Sequence, residues 1–85
     1  MITTGSKIVI EKGCKDRNIA AHKTATVLIV QELGKEYSHQ IGVTMAFLDG
    51  RKVTFYARHR NRLADPIVNM KDGNPMHSIK VRVKQ

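Results

Sequence analysis

The sequence predicts an all-β protein, a small barrel of five short strands. Apolar and polar residues alternate with a period of two in five stretches, which is typical of strands that bury one face. No stretch of about 12 or more residues keeps the period of about 3.6 that marks an amphipathic helix. The predicted strands cover residues 6–11, 24–31, 38–48, 51–58 and 77–84. Five strands of this length are too few for a sandwich and about right for a small barrel.

Asp49-Gly50 predicts a tight β-hairpin between the third and fourth strands, because glycine adopts positive φ without steric cost. A two-residue turn would mix apolar and polar side chains on both faces of the hairpin. A three-residue loop from Leu48 to Gly50 instead gives one clean apolar face. It pairs Met45 with Val53, Val43 with Phe55 and Ile41 with Ala57. We favour this register, which points Tyr56 and Arg58 away from the core.

The segment that follows the fourth strand is expected to form two turns before the last strand. Asn61 begins a short 3₁₀-like turn, which Pro66 prevents from continuing as a helix. Leu63 within this turn is expected to pack on one end of the barrel. The Asp-Gly-Asn-Pro sequence at 72–75 predicts the second turn.

The order of these elements resembles the Src-homology-3 (SH3)-like barrels, with a long first loop at 12–23 and a short 3₁₀ turn before the last strand. Residues 5–30 are also similar to the KOW motif of ribosomal proteins and NusG-type transcription factors. The similarity rests on "GSKIVIEKG" (5–13) followed by "HKTATVLIV" (22–30). The matching positions are Gly5, Ile8, Ile10 and Gly13 in the opening and Thr26-Val27 in the return strand, while Ala25 stands where the family has glycine. Membership implies contact with RNA or a ribonucleoprotein, whereas the barrel fold alone also serves peptide, methyl-lysine and protein binding.

Length and charge limit the classes of function. The 85 residues are enough for one domain, residues 1–85, but not for a second core. Fifteen Lys and Arg against seven Asp and Glu give a net charge of +8, which favours a polyanionic partner. The alternative is that the net positive charge serves only the solubility of the protein and has no polyanionic partner. The sequence opens without the apolar segment of a signal peptide and has no apolar run of about 20 residues, so we expect a cytoplasmic protein without a membrane partner.

The basic residues concentrate in two short tracts. Residues 51–62 hold five Lys or Arg and no acid, and residues 80–84 hold three more. In the last strand, Lys80 and Arg82 alternate with apolar residues and are expected to point outward. We predict that the tracts meet in one nucleic-acid-binding patch formed by Lys52, Tyr56, Arg58, Arg60, Arg62, Lys80 and Arg82. A solvated face with scattered counter-ions is the alternative.

Tyr56 is the residue of this patch that is suited to contact a base. It is expected on the outer face opposite Gly42, which leaves its ring open for stacking. The competing expectation is that Tyr56 packs beneath the long first loop and exposes only its hydroxyl. Phe47, Phe55 and Tyr37 are expected in the core or at its rim.

The sequence shows no motif for catalysis or metal binding. Paired ligand spacing is lacking among the histidines, which are His22, His39, His59 and His77. Cys14 is the only cysteine; it lies in the predicted first loop, without an evident His or Asn partner that would make it a nucleophile. We therefore expect a protein that is not an enzyme and that has no metal, cofactor or small-molecule substrate.

Two functions remain open. The first is a non-catalytic RNA- or DNA-binding barrel, with RNA favoured, that acts in a ribonucleoprotein or transcription assembly. The second is a small regulatory module, such as a phage or accessory factor, that docks on an acidic protein surface of a larger machine. Proline-peptide and methyl-lysine binding are disfavoured, because the chain has no Trp and few aromatic residues to line a groove or a cage.

Overall fold

The computed structural model describes residues 1–34 and 40–85 and shows an all-β fold. Six antiparallel strands follow one another around a closed barrel, and the last strand pairs with the first. The strands are β1 (Lys7–Lys12), β2 (Thr24–Glu32), β3 (Ile41–Phe47), β4 (Lys52–Ala57), β5 (Val68–Lys71) and β6 (Ser78–Val83). The described ranges also contain two 3₁₀ turns, Lys15–Arg17 and Arg60–Ala64. No helix in this part of the chain is long and apolar enough to cross a membrane.

The prediction of five strands is wrong, because β5 is a sixth strand within the segment assigned to turns. Val68 and Met70 are buried, whereas Asn69 and Lys71 are exposed, as expected for a strand with one face on the core. Four residues between two turns are too few for periodicity to separate a strand from a loop. The 3₁₀ turn Arg60–Ala64 therefore precedes β5 and not the last strand.

The five predicted strands are all present. The ends of β1, β2, β4 and β6 each lie within one residue of the prediction. The third predicted strand, residues 38–48, is observed over Ile41–Phe47. Its predicted start at residues 38 and 39 lies outside the described residues, as do Tyr37 and His39.

The hairpin of β3 and β4 has the predicted register, including the three apolar pairs. Gly50 has a φ of 88°, and its N–H donates to the carbonyl of Phe47 over 3.0 Å. The Phe47 N–H donates in turn to the carbonyl of Arg51 over 2.8 Å, which closes the three-residue loop. Tyr56 consequently lies opposite Gly42 on the outer face of the barrel.

One cluster of buried side chains fills the barrel. All six strands contribute at least two members, among them Ile8, Ile10, Ala25, Val27, Val43, Met45, Val53, Phe55, Val68, Met70, Ile79 and Val81. Leu63 is buried, as predicted, and its carbonyl accepts a hydrogen bond of 2.9 Å from the N–H of Ile2. The 3₁₀ turn Arg60–Ala64 and the N-terminal segment thus close one end of the barrel together.

The first loop, residues 13–23, is fastened to the barrel at several points. Cys14 is buried and exchanges two backbone hydrogen bonds of 2.9 Å with Ile19. Arg51, the residue before β4, donates to the carbonyls of Arg17 and Asn18, the latter over 2.6 Å. These bonds satisfy carbonyls at the end of the 3₁₀ turn Lys15–Arg17. Cys14 therefore belongs to the core and not to an open surface loop.

Candidate nucleic-acid interface

The predicted patch residues of β4 lie at opposite ends of the strand. Tyr56 is partly buried near the end of β4, and Arg58 follows it in an exposed position. Lys52 begins β4 and pairs with Ala46, beside the hairpin loop. Because a strand rises about 3.3 Å per residue, Lys52 lies about 20 Å from Arg58 along β4. A ligand centred on Tyr56 would have to be extended to reach Lys52.

Arg60 and Arg62 each have a carboxylate neighbour. Arg60 Nε lies 2.6 Å from Glu32 Oε1, and both side chains are more than half exposed. Arg62 Nη1 lies 3.6 Å from Asp65 Oδ2, three residues further along the chain. Exposed pairs of this kind stabilise a fold by only about 0–1 kcal/mol, but the carboxylate offsets the charge that a polyanion would meet. Neither arginine is a free cation.

The two basic tracts do not lie on adjacent strands, because β5 separates β4 from β6. Lys80 is exposed on β6, where it pairs with Asn69 of β5 on one side and Lys12 of β1 on the other. Arg82 is partly buried, and its Nε donates to a carboxylate oxygen of Glu11. Lys80 thus keeps its charge available, whereas the charge of Arg82 is balanced within the barrel wall.

β5 supplies the link between the tracts. Lys71 pairs with Tyr56 of β4, and Asn69 pairs with Lys80 of β6. The resulting surface, which we call the basic band, consists of Lys12, Tyr56, Arg58, Asn69, Lys71 and Lys80. Sequence reasoning missed Lys12, Asn69 and Lys71. The alternation of Val68 to Lys71 agrees with a strand that has two polar side chains on its outer face, but a pattern of four residues is too short to predict that strand.

The acidic residues of the described ranges have their ion-pair or hydrogen-bond partners outside the basic band. Five carboxylates lie beside cationic side chains or His77, in the pairs Glu11 with Arg82, Asp16 with His77, Glu32 with Arg60, Asp65 with Arg62, and Asp72 with Arg17 and His77. The sixth, Asp49, accepts the backbone N–H of Arg51. Among the residues that the structure describes, no carboxylate lies within ion-pair distance of Lys12, Arg58, Lys71 or Lys80. Within residues 1–34 and 40–85 the basic band is therefore a surface of uncompensated positive charge, on a chain of net charge +8.

A groove of about 470 Å³ runs along the basic band beside Tyr56. Its lining comprises Gln40, Tyr56, Arg58, Asn69, Lys71 and the turn at 73–75. No first-loop residue takes part in this lining, so the surroundings of Tyr56 are β5 and the second turn. The ring of Tyr56 rests against Gly42, where an added Cβ would lie 3.4 Å from Cε1 and 3.6 Å from Cδ1.

The turn that forms one wall of the groove is anchored by Asp72. Its carboxylate accepts hydrogen bonds from the Asn74 N–H over 3.1 Å and from the Arg17 guanidinium, and His77 Nδ1 lies 3.1 Å away. Burial alone would raise the pKa of Asp72, but the bonds from Asn74, Arg17 and His77 outweigh it and hold the pKa below its usual range. Asp72 is thus an anion that joins the first loop to the wall of the groove.

A second cleft, of about 350 Å³, separates the first loop from the hairpin loop. Its lining includes Lys23, Arg51 and the acidic Asp49. Since Arg51 is already bonded to two carbonyls and Asp49 contributes negative charge, this cleft is a poorer site for a polyanion than the groove beside Tyr56.

Across residues 1–34 and 40–85, no three His, Cys, Asp or Glu side chains are placed to hold a metal ion. No protein-family model, curated protein or solved structure matches the chain. Function is therefore inferred from the geometry and charge of the surface.

Proposed function

We propose that this protein is a non-catalytic nucleic-acid-binding barrel that acts in a ribonucleoprotein or transcription assembly and binds RNA in preference to DNA. The observation that carries the proposal is the basic band, which combines an outward tyrosine with four cations that have no carboxylate partner among the described residues. Cations that are free of carboxylates release counter-ions from a phosphate chain when they bind it, and this release is the main driving force of nonspecific nucleic-acid binding.

The assignment to the SH3-like barrels with a KOW-like opening is part of this proposal and is the reason for favouring RNA. Two glycines of the opening motif support it. Gly5 has a φ of 91°, which disfavours other residues. At Gly13 a Cβ would overlap the carbonyl oxygen of Ile19, so the backbone approach there depends on glycine. The opening and return segments also pair as antiparallel strands, with Ile8 opposite Ala25.

The salt dependence of binding tests the proposal. A labelled unstructured RNA of about ten nucleotides would be titrated with the protein at salt concentrations from about 50 to 200 mM. If Lys12, Arg58, Lys71 and Lys80 each contact a phosphate, the log–log slope of affinity against salt should be close to −3, from about 0.7 per contact on a single strand. Absence of binding to RNA and to DNA at the lowest salt would refute the proposal.

The alternative partner is an acidic protein surface, which the same charges would attract. Capture of partners from a cell lysate, with and without nuclease treatment, separates the two classes. A partner that disappears after nuclease treatment agrees with the proposal. A specific protein partner that survives, together with undetectable RNA binding, contradicts it.

A further inference from the structure

The groove beside Tyr56 has the dimensions and walls of a small preformed binding site. Its volume of about 470 Å³ falls within the range of about 300–1,000 Å³ that is usual for small ligands. One wall is the turn at 73–75, which local hydrogen bonds hold in place. The Asn74 side chain accepts the Met76 N–H over 2.9 Å, and the Asn74 carbonyl accepts the His77 N–H over 2.9 Å. Little ordering of this wall is therefore needed when a ligand enters.

Tyr56 presents an aromatic surface whose position is fixed from below. Its ring rests against Gly42 and extends into the groove. A Cβ at position 42 would lie in van der Waals contact with the ring, 3.4 Å from Cε1, so a side chain larger than alanine there would press on the ring. A half-buried, supported ring is a suitable platform for a base, because little side-chain freedom is lost on stacking.

Two amide side chains line the same groove and are free to read a base edge. Gln40 and Asn69 form no side-chain hydrogen bond within the described residues. An amide offers both a donor and an acceptor, which matches the paired groups on the edge of a base. Arg58 and Lys71 line the same groove, so two cations that can bind phosphate lie beside the amides.

We propose that this groove binds a single unstacked base of a single-stranded nucleic acid, with the base on Tyr56 and its flanking phosphates on Arg58 and Lys71. The inference rests on the proposed nucleic-acid-binding function and specifies its ligand. In a duplex the base faces are covered by their neighbours and the edges used in pairing are occupied. Only a single strand or a loop can place a base in the groove, so duplexes contact the cations alone.

The test compares three ligands with the same number of phosphates: a single-stranded oligomer, an oligomer of the same length with abasic sites at the central positions, and a duplex of half that length. We expect the unmodified protein to bind the intact single strand about ten-fold more tightly than the abasic oligomer at the same salt. Tyr56→Leu should lose that difference while its salt slope and its affinity for duplex are unchanged. Tyr56→Phe, which keeps the ring, should retain most of the difference.

The outcomes distinguish failure of this inference from failure of the proposed function. Equal affinity of the unmodified protein for intact and abasic strands, with a normal salt slope, overturns the base site and leaves phosphate binding standing. A Tyr56→Leu variant that is weakened equally toward single strand and duplex also overturns it. If none of the three ligands binds at low salt, the proposed function itself is wrong. The abasic comparison requires no variant and therefore does not depend on how Tyr56→Leu folds.

Discussion

Tyr56 of β4 pairs directly with Lys71 of β5, a residue 15 positions further along the chain. This pairing brings the aromatic residue of the first basic tract to a cation that lies outside both tracts. Asn69 on the same strand pairs with Lys80 of β6. β5 therefore joins the cations near the end of β4 and the cation on β6 into one surface. The proposed function depends on this short strand.

Lys71→Gln is expected to weaken RNA binding without affecting the fold, since the side chain is exposed and has no carboxylate neighbour among the described residues. The loss of one phosphate contact should reduce the salt slope by about 0.7. Lys52→Gln removes the same charge about 13 Å along β4 from Tyr56, the residue that pairs with Lys71, and should change the slope by less than half as much. Titrations of both variants at several salt concentrations check this prediction. Equal effects would show that binding follows net charge and not the position of the lysine.

Asp72→Asn is expected to destabilise the fold at neutral pH by about 1–3 kcal/mol, because the partly buried carboxylate accepts several hydrogen bonds, including one from Arg17. Denaturant unfolding measures the loss. Asp65→Asn, which changes an exposed ion pair with Arg62, is the matched control and should cost less than about 0.5 kcal/mol.

The same carboxylate predicts a specific pH dependence of stability. Since the pKa of Asp72 is lower in the folded protein than in the unfolded chain, its contribution is fully present above the unfolded pKa of about 4. That contribution is lost as pH falls through the folded pKa. The free energy of unfolding should therefore fall more steeply below about pH 4 in the unmodified protein than in Asp72→Asn. Parallel pH profiles of the free energy of unfolding for the two proteins would contradict a lowered pKa of Asp72 in the folded protein.

Leu63→Ala is expected to lower the free energy of unfolding by about 2–4 kcal/mol, because the side chain is buried at the end of the barrel. Leu48→Ala in the hairpin loop removes the same atoms from a side chain that is 96% exposed, and should be nearly neutral. Chemical denaturation of the two variants compares a core leucine with a surface leucine. A small effect of Leu63→Ala would mean that the 3₁₀ turn does not hold the barrel end closed.

Gly13→Ala is expected to disrupt the first loop, because the new Cβ would overlap the Ile19 carbonyl oxygen and lie 3.0 Å from backbone atoms of Ala20 and Ala21. Backbone must move to make room, at a cost of about 1–3 kcal/mol or more. Gly42→Ala is the control, since its nearest contact is the Tyr56 ring at 3.4 Å, and it should cost less than Gly13→Ala. Thermal unfolding of both variants shows which one is less stable. A larger loss of stability in Gly42→Ala than in Gly13→Ala would contradict the described loop geometry.

The sequence predicts the fold well wherever a long alternating pattern meets a clear turn signal. The β3–β4 register follows from keeping Val43 and Phe55 on one face and from the positive φ of Gly50, and the structure has both features. β5 is not predictable in this way, because its four residues lie between turn-forming residues at both ends.

The candidate site is only partly predictable for a different reason. Sequence gives the charge of each residue but not its ion-pair partner when the partner is distant. Glu11 lies 71 residues from Arg82, and Glu32 lies 28 residues from Arg60. Only the barrel topology shows that these arginines are balanced, while Arg58 and Lys80 have no carboxylate partner in the described part of the chain.

We attribute nucleic-acid binding to the basic band and not to net charge alone. The most direct measurement compares two triple variants that lose the same charge: Arg58→Gln/Lys71→Gln/Lys80→Gln within the band, and Arg62→Gln/Lys15→Gln/Lys23→Gln outside it. Single-stranded RNA affinity would be measured for both across a salt series, after circular dichroism shows that both fold. We expect the band variant to lose affinity by about ten-fold or more at about 50 mM salt and its slope to decrease by about 2, with much smaller changes in the other variant. Equal losses in the two variants would contradict the claim.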